Sequence, residues 1–449
     1  MFTVKNSLTA NNISGDKMNR LWENTQVMPS FPKLDGDVKT RVLIVGGGLA
    51  GILTAYMLNR AGADYLLIEA DEICRGVTGG TTAKITSQHG LIYRKLFDIH
   101  GSEYAYMYWK ANQAALDEYR RLCSDISCNF EEKSNVIYTV SNGKVIDDEL
   151  NVLKRLGIPA LYREEMPLPL KVRCGVEFKN QAQFNPFEFV LGIAKGLNIR
   201  EHTKALEFRG KTAITDCGVI EADKIIIATH FPVINKHGAF FAKMYQNRSY
   251  VIALENAGKT DGMYLDENEK GFSFRDYGDL LLLGGGSHRT GESGGAWAEL
   301  EEFAKKHYPG SAVRYRWAAQ DCITLDGSAY IGRYGKTTPD LYTATGFNKW
   351  GMTLSMVSAM LLCDEVTGKN NPYSPVFNPS RKLYIPQLAK NIRDSARNIF
   401  TFSKPRCPHL GCALKWNSAE HSWDCPCHGS RFSEDGKLLD NPAEKDKIL

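Results

Sequence analysis

Near the end of the chain, four cysteines lie among three histidines, mostly in two short segments. The first segment reads Cys407-x-His409 and the second reads Cys425-x-x-His428, so each offers one thiolate and one imidazole. The other seven of the eleven cysteines are scattered without such spacing. In a reducing compartment, a cluster of this kind indicates metal binding more often than a disulfide framework. Cys407, His409, Cys425 and His428 are therefore predicted to bind a metal centre.

Two kinds of metal centre use two cysteines and two histidines. A Rieske 2Fe–2S cluster has two cysteines on one iron and two histidines on the other, and a structural zinc ion takes the same ligands. Zinc fingers pair cysteine with cysteine and histidine with histidine, which is not the spacing found here. The neighbouring Cys412 and Cys427 also have no role in a four-ligand zinc site. The pattern favours the 2Fe–2S cluster, with zinc as the alternative.

The two segments, CPHLGC and CPCHGS, resemble the cluster-binding loops of the Rieske family almost residue for residue. The resemblance implies a disulfide between Cys412 and Cys427 that ties the loops together, and a hydrogen bond from Ser430 to a bridging sulfide. Respiratory Rieske proteins have a tyrosine where this chain has Phe432. The resemblance thus implies one hydrogen bond fewer to the cluster, and hence a potential below that of the respiratory centres.

A second informative segment lies near the start of the chain, at residues 41–58. There an apolar strand leads into a G-x-G-x-x-G motif formed by Gly46, Gly48 and Gly51, followed by a helix-like stretch. These glycines permit a tight turn, close approach to a pyrophosphate and close packing of helix on strand. The next apolar strand ends at Glu69, where an acid can bind a ribose hydroxyl. This order of strand, glycine turn, helix, strand and acid predicts FAD or NAD binding. The alternatives are a transmembrane helix and an ordinary strand–turn–helix.

Later segments favour FAD over NAD. A small-residue loop follows the second strand, and a glycine turn near the end leads into an apolar helix; these segments contain Thr81, Thr82, Gly346, Gly351 and Met352. From residue 41 to residue 367, the order of motifs resembles the glycine/D-amino-acid oxidase superfamily of FAD-dependent oxidoreductases. The resemblance implies that these residues and the glycine motif bind FAD. It also implies hydride transfer to flavin N5 from a carbon next to nitrogen or oxygen.

The catalytic residues are less clear from the sequence. Many amino-acid oxidases of that superfamily place an arginine shortly before an Asp-Gly turn, but residues 317–322 contain none. Arg275 and Arg289 are candidates for a substitute cation, or else surface salt-bridge partners on strands. Asp321 is a candidate for binding a cationic group of the substrate. His230 is either close to the cofactor or a structural histidine.

Length and composition are those of an ordinary globular protein. The 449 residues suggest two or three domains, and 43% of them are hydrophobic and 24% charged. A net charge of +4 is too balanced to indicate a nucleic-acid or membrane-surface partner. The first residues show no basic and apolar leader, so we expect a cytoplasmic protein without a transmembrane segment.

We expect an α/β protein, α+β overall, with a Rossmann-like FAD-binding domain and a mixed-sheet substrate domain. A small all-β Rieske module, which looks truncated, should follow. The expected boundaries are a lead-in at 1–40, the oxidoreductase at 41–370 with substrate segments at about 85–150 and 236–320, a linker at 371–395 and the module at 396–449.

Together these features predict an FAD-dependent enzyme, a dehydrogenase or oxidase. It would oxidise an amine-type or hydroxyl-type small molecule and pass single electrons through a Rieske 2Fe–2S cluster to an unknown acceptor. The alternative is an electron-transfer component fed by NAD(P)H, although the glycines at 284–286 lead into Ser-His-Arg rather than a helix. A third possibility is a flavin-containing structural or redox-sensing protein with a vestigial cluster.

Overall fold

The computed structural model describes residues 19–234, 237–382 and 405–446, and a few single positions between 384 and 401. Residues 1–18 of the predicted lead-in, and parts of the predicted linker and module, lie outside them. The strands, in chain order, are β1 (Val38–Val45), β2 (Tyr65–Ile68), β3 (Lys84–Ile85), β4 (Glu131–Thr139), β5 (Leu161–Arg163), β6 (Cys174–Gln183), β7 (Ile199–Arg200), β8 (Ala205–Arg209), β9 (Thr212–Thr215), β10 (Gly218–Ile227), β11 (Met244–Glu255), β12 (Met263–Asp266), β13 (Ser273–Tyr277), β14 (Leu280–Arg289), β15 (Ala312–Thr324), β16 (Tyr330–Arg333), β17 (Leu341–Thr345), β18 (Lys415–Asn417), β19 (Ser422–Asp424), β20 (Arg431–Ser433) and β21 (Leu438–Asp440).

The helices are α1 (Leu49–Arg60), α2 (Ile92–His100), α3 (Ser102–Cys123), α4 (Lys144–Leu156), α5 (Pro186–Ala194), α6 (Phe240–Lys243), α7 (Ala296–His307), α8 (Gly351–Thr367) and α9 (Ser374–Phe377). Short 3₁₀ helices cover Trp22–Asn24 and Val77–Gly80. Among the described helices, none combines the length and hydropathy needed to cross a membrane.

The first sheet has the strand order β16-β17-β10-β1-β2-β7, and β8 and β9 extend it from β10. Strands β17, β10, β1, β2 and β7 run parallel. Their apolar runs are buried because helices such as α1 and α8 pack over the sheet. In such a sheet, ligands bind at the carboxyl ends of the strands. Gly46, Glu69, Ala228 and Gly346 each follow one of these strands directly, so they meet at that edge.

The second sheet has the order β15-β11-β14-β13-β12-β4-β6-β3, with β5 paired to β6. Its pairs are antiparallel except for the parallel pair of β12 with β4, so the sheet is mixed as expected. Strands β5 and β6 lie after residue 150, so this sheet uses more of the chain than the two substrate segments given above. Helix α7 packs on β14 and β11.

The C-terminal module is an antiparallel sheet of four three-residue strands, β18 to β21, as an all-β fold requires. Its small core contains four cysteines, Leu414, Phe432 and Ala443. Two loops on this sheet, residues 407–412 and 425–430, contain the predicted metal ligands.

The middle of the lead-in is anchored at the ligand edge of the first sheet. Leu21 and Trp22 are buried, and the indole Nε1 of Trp22 donates to the Thr81 carbonyl at 2.7 Å. The lead-in therefore supports the small-residue loop in which Thr81 and Thr82 lie.

Candidate flavin and metal sites

A cavity of about 1200 Å³ lies at the carboxyl ends of the parallel strands and continues over the second sheet. Its walls include Gly46, Gly48, Glu69, Thr81, Thr82, Gly351 and Met352. The structure thus gathers seven of the nine residues predicted to bind FAD around one space. The other two, Gly51 and Gly346, shape the backbone behind it.

The glycine turn is built for close backbone contact on one side and open space on the other. Gly46 has φ +113°, and an added Cβ would lie 2.6 Å from the Ala228 carbonyl oxygen. A Cβ on Gly51 would lie 1.9 Å from the Gly46 oxygen. A Cβ on Gly48 would meet only Thr78 Oγ1, at 3.5 Å, so this glycine leaves room on the cavity side. Helix α1 starts at the next residue, and such an N-terminus favours a phosphate.

Glu69 is held at the cavity wall by backbone groups. Its carboxylate accepts hydrogen bonds from the Gly47 N–H at 2.6 Å and the Asp71 N–H at 3.0 Å. Burial raises its pKa, and these hydrogen bonds oppose the increase. Because a carboxylate has further lone pairs, it could also accept from a ribose hydroxyl.

Arg275 does not take the position proposed for a substrate cation. Its guanidinium is buried behind the cavity wall, where it donates to the backbone carbonyls of Thr82 and Ala83, the latter at 2.9 Å. It also lies 5.6 Å from the Trp22 ring centroid. Burial lowers its pKa to about 9. Arg275 is thus not a surface salt-bridge partner, and it is not among the residues that line the cavity. Its guanidinium instead supports the loop that contains Thr82 and Ala83.

Arg289 is also absent from the described lining of the cavity. Its guanidinium lies 5.0 Å from the Tyr245 ring centroid and donates to the Cys427 carbonyl at 3.4 Å. The side chain therefore joins the second sheet to the C-terminal module, a role that the sequence did not indicate.

Asp321 lines the cavity from β15. The hydrogen bonds and ion pairs among the described residues do not include this carboxylate. Burial raises its pKa, whereas the nearby His230 and Lys349 lower it. His230 also lines the cavity, with a backbone φ of +64°. Of the three catalytic candidates, Asp321 alone faces the described cavity.

Lys349 is a cavity residue that sequence reasoning missed, although it lies two residues before Gly351. Asn348 and Lys349 both have left-handed backbone, with φ +52° and +71°. Asn348 stabilises this strained turn, because its Oδ1 accepts from the Thr324 N–H at 2.7 Å. The Lys349 ammonium reaches Ser287 Oγ at 3.4 Å, and burial lowers its pKa.

Lys84 is a second missed residue, and nothing in its sequence context indicated it. It lines the cavity from β3 and donates to Thr82 Oγ1 at 3.1 Å. Burial, with a further contribution from the nearby Arg275 charge, lowers its pKa to about 7. A lysine with such a pKa can accept or release a proton near neutral pH.

The two module loops bring the predicted metal ligands together. The Cys407 and Cys425 thiols are hydrogen-bonded, and the His409 and His428 rings lie 5.1 Å apart. Each loop is closed by backbone bonds, such as that from the Cys425 N–H to the Ser430 carbonyl at 2.8 Å. Two thiols and two imidazoles therefore meet at one end of the module.

The donor atoms fit a metal cluster. The Nδ1 atoms of His409 and His428 are buried and have no hydrogen-bond partner among the described residues. Burial lowers the pKa of His428 to about 3, so the ring is neutral, as metal ligation requires. Cys412 and Cys427 form a disulfide between the loops, and Cys425 lies within 4.8 Å of both sulfurs. The pair is thus unavailable as metal ligands.

Two further side chains surround the donor atoms. Ser430 Oγ accepts from the Ala443 N–H at 2.9 Å and is hydrogen-bonded to Cys407. Phe241, from helix α6 outside the module, lies edge-on to both histidine rings, with centroids 6.0 Å from His409 and 5.5 Å from His428. The histidine edge is therefore partly covered by the rest of the protein.

Comparison with known proteins agrees with both sites. The family model described as FAD dependent oxidoreductase (DAO) matches residues 41–365. The chain belongs to the DAO family. The model described as Rieske [2Fe-2S] domain matches residues 390–448. The cofactors of this DAO-family protein are accordingly FAD and a 2Fe–2S cluster.

A Bacillus subtilis (strain 168) protein, described as a putative Rieske 2Fe-2S iron-sulfur protein YhfW, is 34% identical over 94% of this chain and 96% of its own. The L-proline dehydrogenase of P. horikoshii has a similar fold, with TM-score 0.64 and 16% identity over 78% of this chain and 98% of that one. The glycine oxidase of Bacillus cereus ATCC 14579 gives TM-score 0.59 and 18% identity over 76% and 99%. These two likenesses establish the DAO fold.

In this DAO-family protein, charged side chains join the Rieske domain to the second sheet. Arg248 on β11 forms an ion pair with Glu420, which also accepts from Arg431 at 2.9 Å and from the Tyr250 hydroxyl at 2.9 Å. Burial alone would raise the pKa of Glu420, but the two arginines lower it to about 2. Arg248 and Tyr250 lie about 170 positions before Glu420 in the chain, and sequence reasoning missed both contacts.

Proposed function

We propose that this FAD-dependent oxidoreductase oxidises a small molecule at a CH–NH bond and passes the electrons singly, through its Rieske cluster, to an external acceptor. One observation carries this proposal: the cavity lined by the predicted FAD residues is also lined by Arg431, Leu439 and Asp440 of the Rieske domain. A flavin accepts a hydride and releases electrons one at a time, and a 2Fe–2S cluster accepts one.

In this proposal, the two cofactors have distinct sets of ligands. Gly46, Gly48 and Glu69 hold the FAD pyrophosphate and ribose, together with the segments around Thr81 and Gly351. In the Rieske domain, the ligands of the cluster are Cys407, His409, Cys425 and His428. The two orphaned imidazole Nδ1 atoms support the second assignment, because a buried polar atom otherwise requires a partner.

The donor would bind where the cavity covers the second sheet. Asp321 faces this space, and its carboxylate is suited to orient an amino group. Lys84, whose pKa is about 7, would accept the proton that a protonated amine must lose before oxidation. The names of the two enzymes of similar fold, a proline dehydrogenase and a glycine oxidase, also agree with a CH–NH donor.

The alternative, a component fed by NAD(P)H, would need a second dinucleotide turn. The triple glycine at 284–286 lies within β14, where Gly285 pairs with Tyr250 of β11. It is thus a strand rather than a strand-to-helix turn, which disfavours this alternative.

The test uses protein purified without oxygen. We expect FAD, iron and acid-labile sulfide in a ratio of about 1:2:2, and a Rieske-type EPR signal after reduction. A screen of amines and hydroxy compounds should find a donor that bleaches the flavin and then the cluster. Asp321→Asn should raise the KM for an amine donor. Reduction by NADH but by none of the donors would overturn the proposal in favour of the alternative. Protein without iron, or with zinc, would overturn it as well.

A further inference from the structure

Two buried glutamines lie between the cavity and the second cluster-binding loop, residues 425–430. Gln246 on β11 and Gln320 on β15 both line the cavity, and each is only 2% exposed. The amide groups of both side chains contact the Rieske domain. They therefore span the boundary between the two cofactor sites.

Gln246 binds two carbonyls of the Rieske domain. Its Nε2 donates to the His428 oxygen at 2.9 Å and to the Asn441 oxygen at 2.8 Å. Its Oε1 accepts from Gln320 Nε2 at 2.6 Å. Both hydrogens of the amide and its oxygen are thus in use, which fixes the orientation of the group.

Gln320 completes the arrangement. The second hydrogen of its Nε2 is donated to the Gly429 oxygen at 2.8 Å, and its Oε1 accepts from Thr290 Oγ1 at 2.8 Å. A flipped amide would place oxygen against a carbonyl oxygen, so only one orientation is stable. The carbonyls of His428 and Gly429 are therefore held by a fully satisfied pair of amides.

The loop backbone also lies directly on the oxidoreductase. Gly429 has φ +87°, and an added Cβ would lie 2.5 Å from Gln246 Cβ. On the other side, a Cβ on Gly291 would lie 2.5 Å from the Pro426 nitrogen. These contacts leave no room for a methyl group, and they are independent of the hydrogen bonds. The loop with Cys425 and His428 is therefore seated on this surface.

We propose that Gln246 and Gln320 are positioning residues for electron transfer, because they fix His428 at a set distance from the flavin cavity. The inference rests on the proposed transfer between the two cofactors. The electron lost by the flavin is gained by cluster iron, and an external one-electron acceptor later removes it. Each glutamine links the cavity wall to the cluster loop through one side chain and one hydrogen bond. Since electron transfer slows steeply with distance, a loosened loop should slow it.

The experiment uses the full holoprotein and needs no substrate. A light pulse with a photoreductant reduces the flavin, and absorbance follows the appearance of the reduced cluster. We expect Gln246→Leu and Gln320→Leu to slow this step by about tenfold or more. FAD, iron and the cluster potential should stay at wild-type values, so that the slower rate reflects position rather than driving force. The matched control is Gln183→Leu. Gln183 is equally buried in the same sheet and donates to the Asp276 oxygen at 2.9 Å.

Wild-type rates in both variants would overturn the inference, and so would an equal slowing in Gln183→Leu. If the leucine variants lose iron, the transfer rate is measured in Thr290→Val instead, because this substitution removes only the hydroxyl that orients Gln320. Slower transfer with iron retained supports the proposal, and an unchanged rate overturns it. If the photoreduced flavin does not reduce the cluster even in the wild-type protein, the proposed function itself is overturned.

Discussion

Arg248 and Glu420 form an ion pair in which both side chains are buried, with exposed fractions of 4% and 2%. Arg248 lies on the second sheet of the oxidoreductase, and Glu420 lies in the Rieske domain. The Arg248 Nε donates to Glu420 Oε1 at 2.7 Å, and a second bond joins the other nitrogen and oxygen. Removing one partner of such a pair leaves an uncompensated buried charge. The pair is therefore one of the contacts that join the Rieske domain to the oxidoreductase.

The substitution Glu420→Gln should strongly destabilise this contact, because Arg248 and Arg431 would face a neutral amide. We expect the free energy of unfolding, measured in urea, to fall by about 3–5 kcal/mol. The control is Glu221→Gln, which breaks the exposed pair with Lys39 and should change little. Equal effects of the two substitutions would contradict the stabilising role of the buried pair.

The same pair should make stability depend on pH. The pKa of Glu420 is lowered to about 2 in the folded chain and is about 4.3 in an unfolded one. A lowered folded pKa gives stability that is complete above the unfolded pKa and is lost as pH falls towards the folded one. The difference between wild type and Glu420→Gln should therefore shrink below about pH 4.3. Unfolding curves from pH 7 downwards measure it, and a constant difference would refute the assignment.

Substitution by alanine should have different effects at two glycines of the glycine turn, Gly48 and Gly51. Gly51→Ala should prevent folding, because its Cβ would lie 1.9 Å from the Gly46 oxygen. Gly48→Ala should fold normally and lose FAD, because its Cβ occupies the open cavity side. Gly335→Ala, with only an ordinary contact at 3.6 Å, should change neither property. Thermal unfolding and FAD content after reconstitution measure both effects. Full FAD content in Gly48→Ala would mean that the pyrophosphate binds elsewhere.

Removing a cluster ligand should abolish the cluster and leave FAD bound. His409→Ala should abolish the Rieske EPR signal and lower the iron content, while FAD stays bound, because none of the residues proposed to bind FAD is a proposed cluster ligand. The control is His421→Asn in the same domain, whose left-handed backbone at φ +50° asparagine tolerates. Iron analysis and flavin absorbance give the two readouts. A Rieske signal that survives in His409→Ala would refute the ligand assignment.

Hydrogen bonds to the cluster should set its potential. Ser430 Oγ accepts from the Ala443 N–H, so its own hydrogen supplies the bond to Cys407, one of the proposed cluster ligands. Phe432, fully buried, has no such group to offer. We expect a potential below that of respiratory Rieske centres, lowered further by Ser430→Ala and raised by Phe432→Tyr. Redox titration followed by EPR measures all three values, and Ser430→Thr, which keeps the hydroxyl, serves as the control.

The sequence predicted the elements whose signals are local. The apolar run and glycines predicted a strand ending at Val45, a helix to about residue 58 and a strand at residues 65–68, and β1, α1 and β2 confirm them. These predictions succeeded because apolar periodicity and glycine chemistry act within a few residues.

The sequence could not predict the long-range pairs. Gln246 meets the His428 carbonyl 182 positions later, and no spacing rule relates them. Arg275 was expected on a surface or at the substrate, because arginine is rarely buried without a carboxylate. It is instead satisfied by the Thr82 and Ala83 carbonyls, which only tertiary structure brings to it.

Lys84 should give the flavin-reduction rate its pH dependence. Burial lowers its pKa to about 7, so the amine is neutral, and able to accept a proton, above that pH. With an amine donor, the rate of flavin reduction should rise as pH increases through about 7. Lys84→Met should lower the rate and remove this step, because no base remains at that position. Lys224→Met is the control, since this lysine bonds the Val366 carbonyl at 2.7 Å, away from the described cavity lining. Stopped-flow absorbance measures the profiles, and an unchanged step at pH 7 in Lys84→Met would assign the proton transfer to another group.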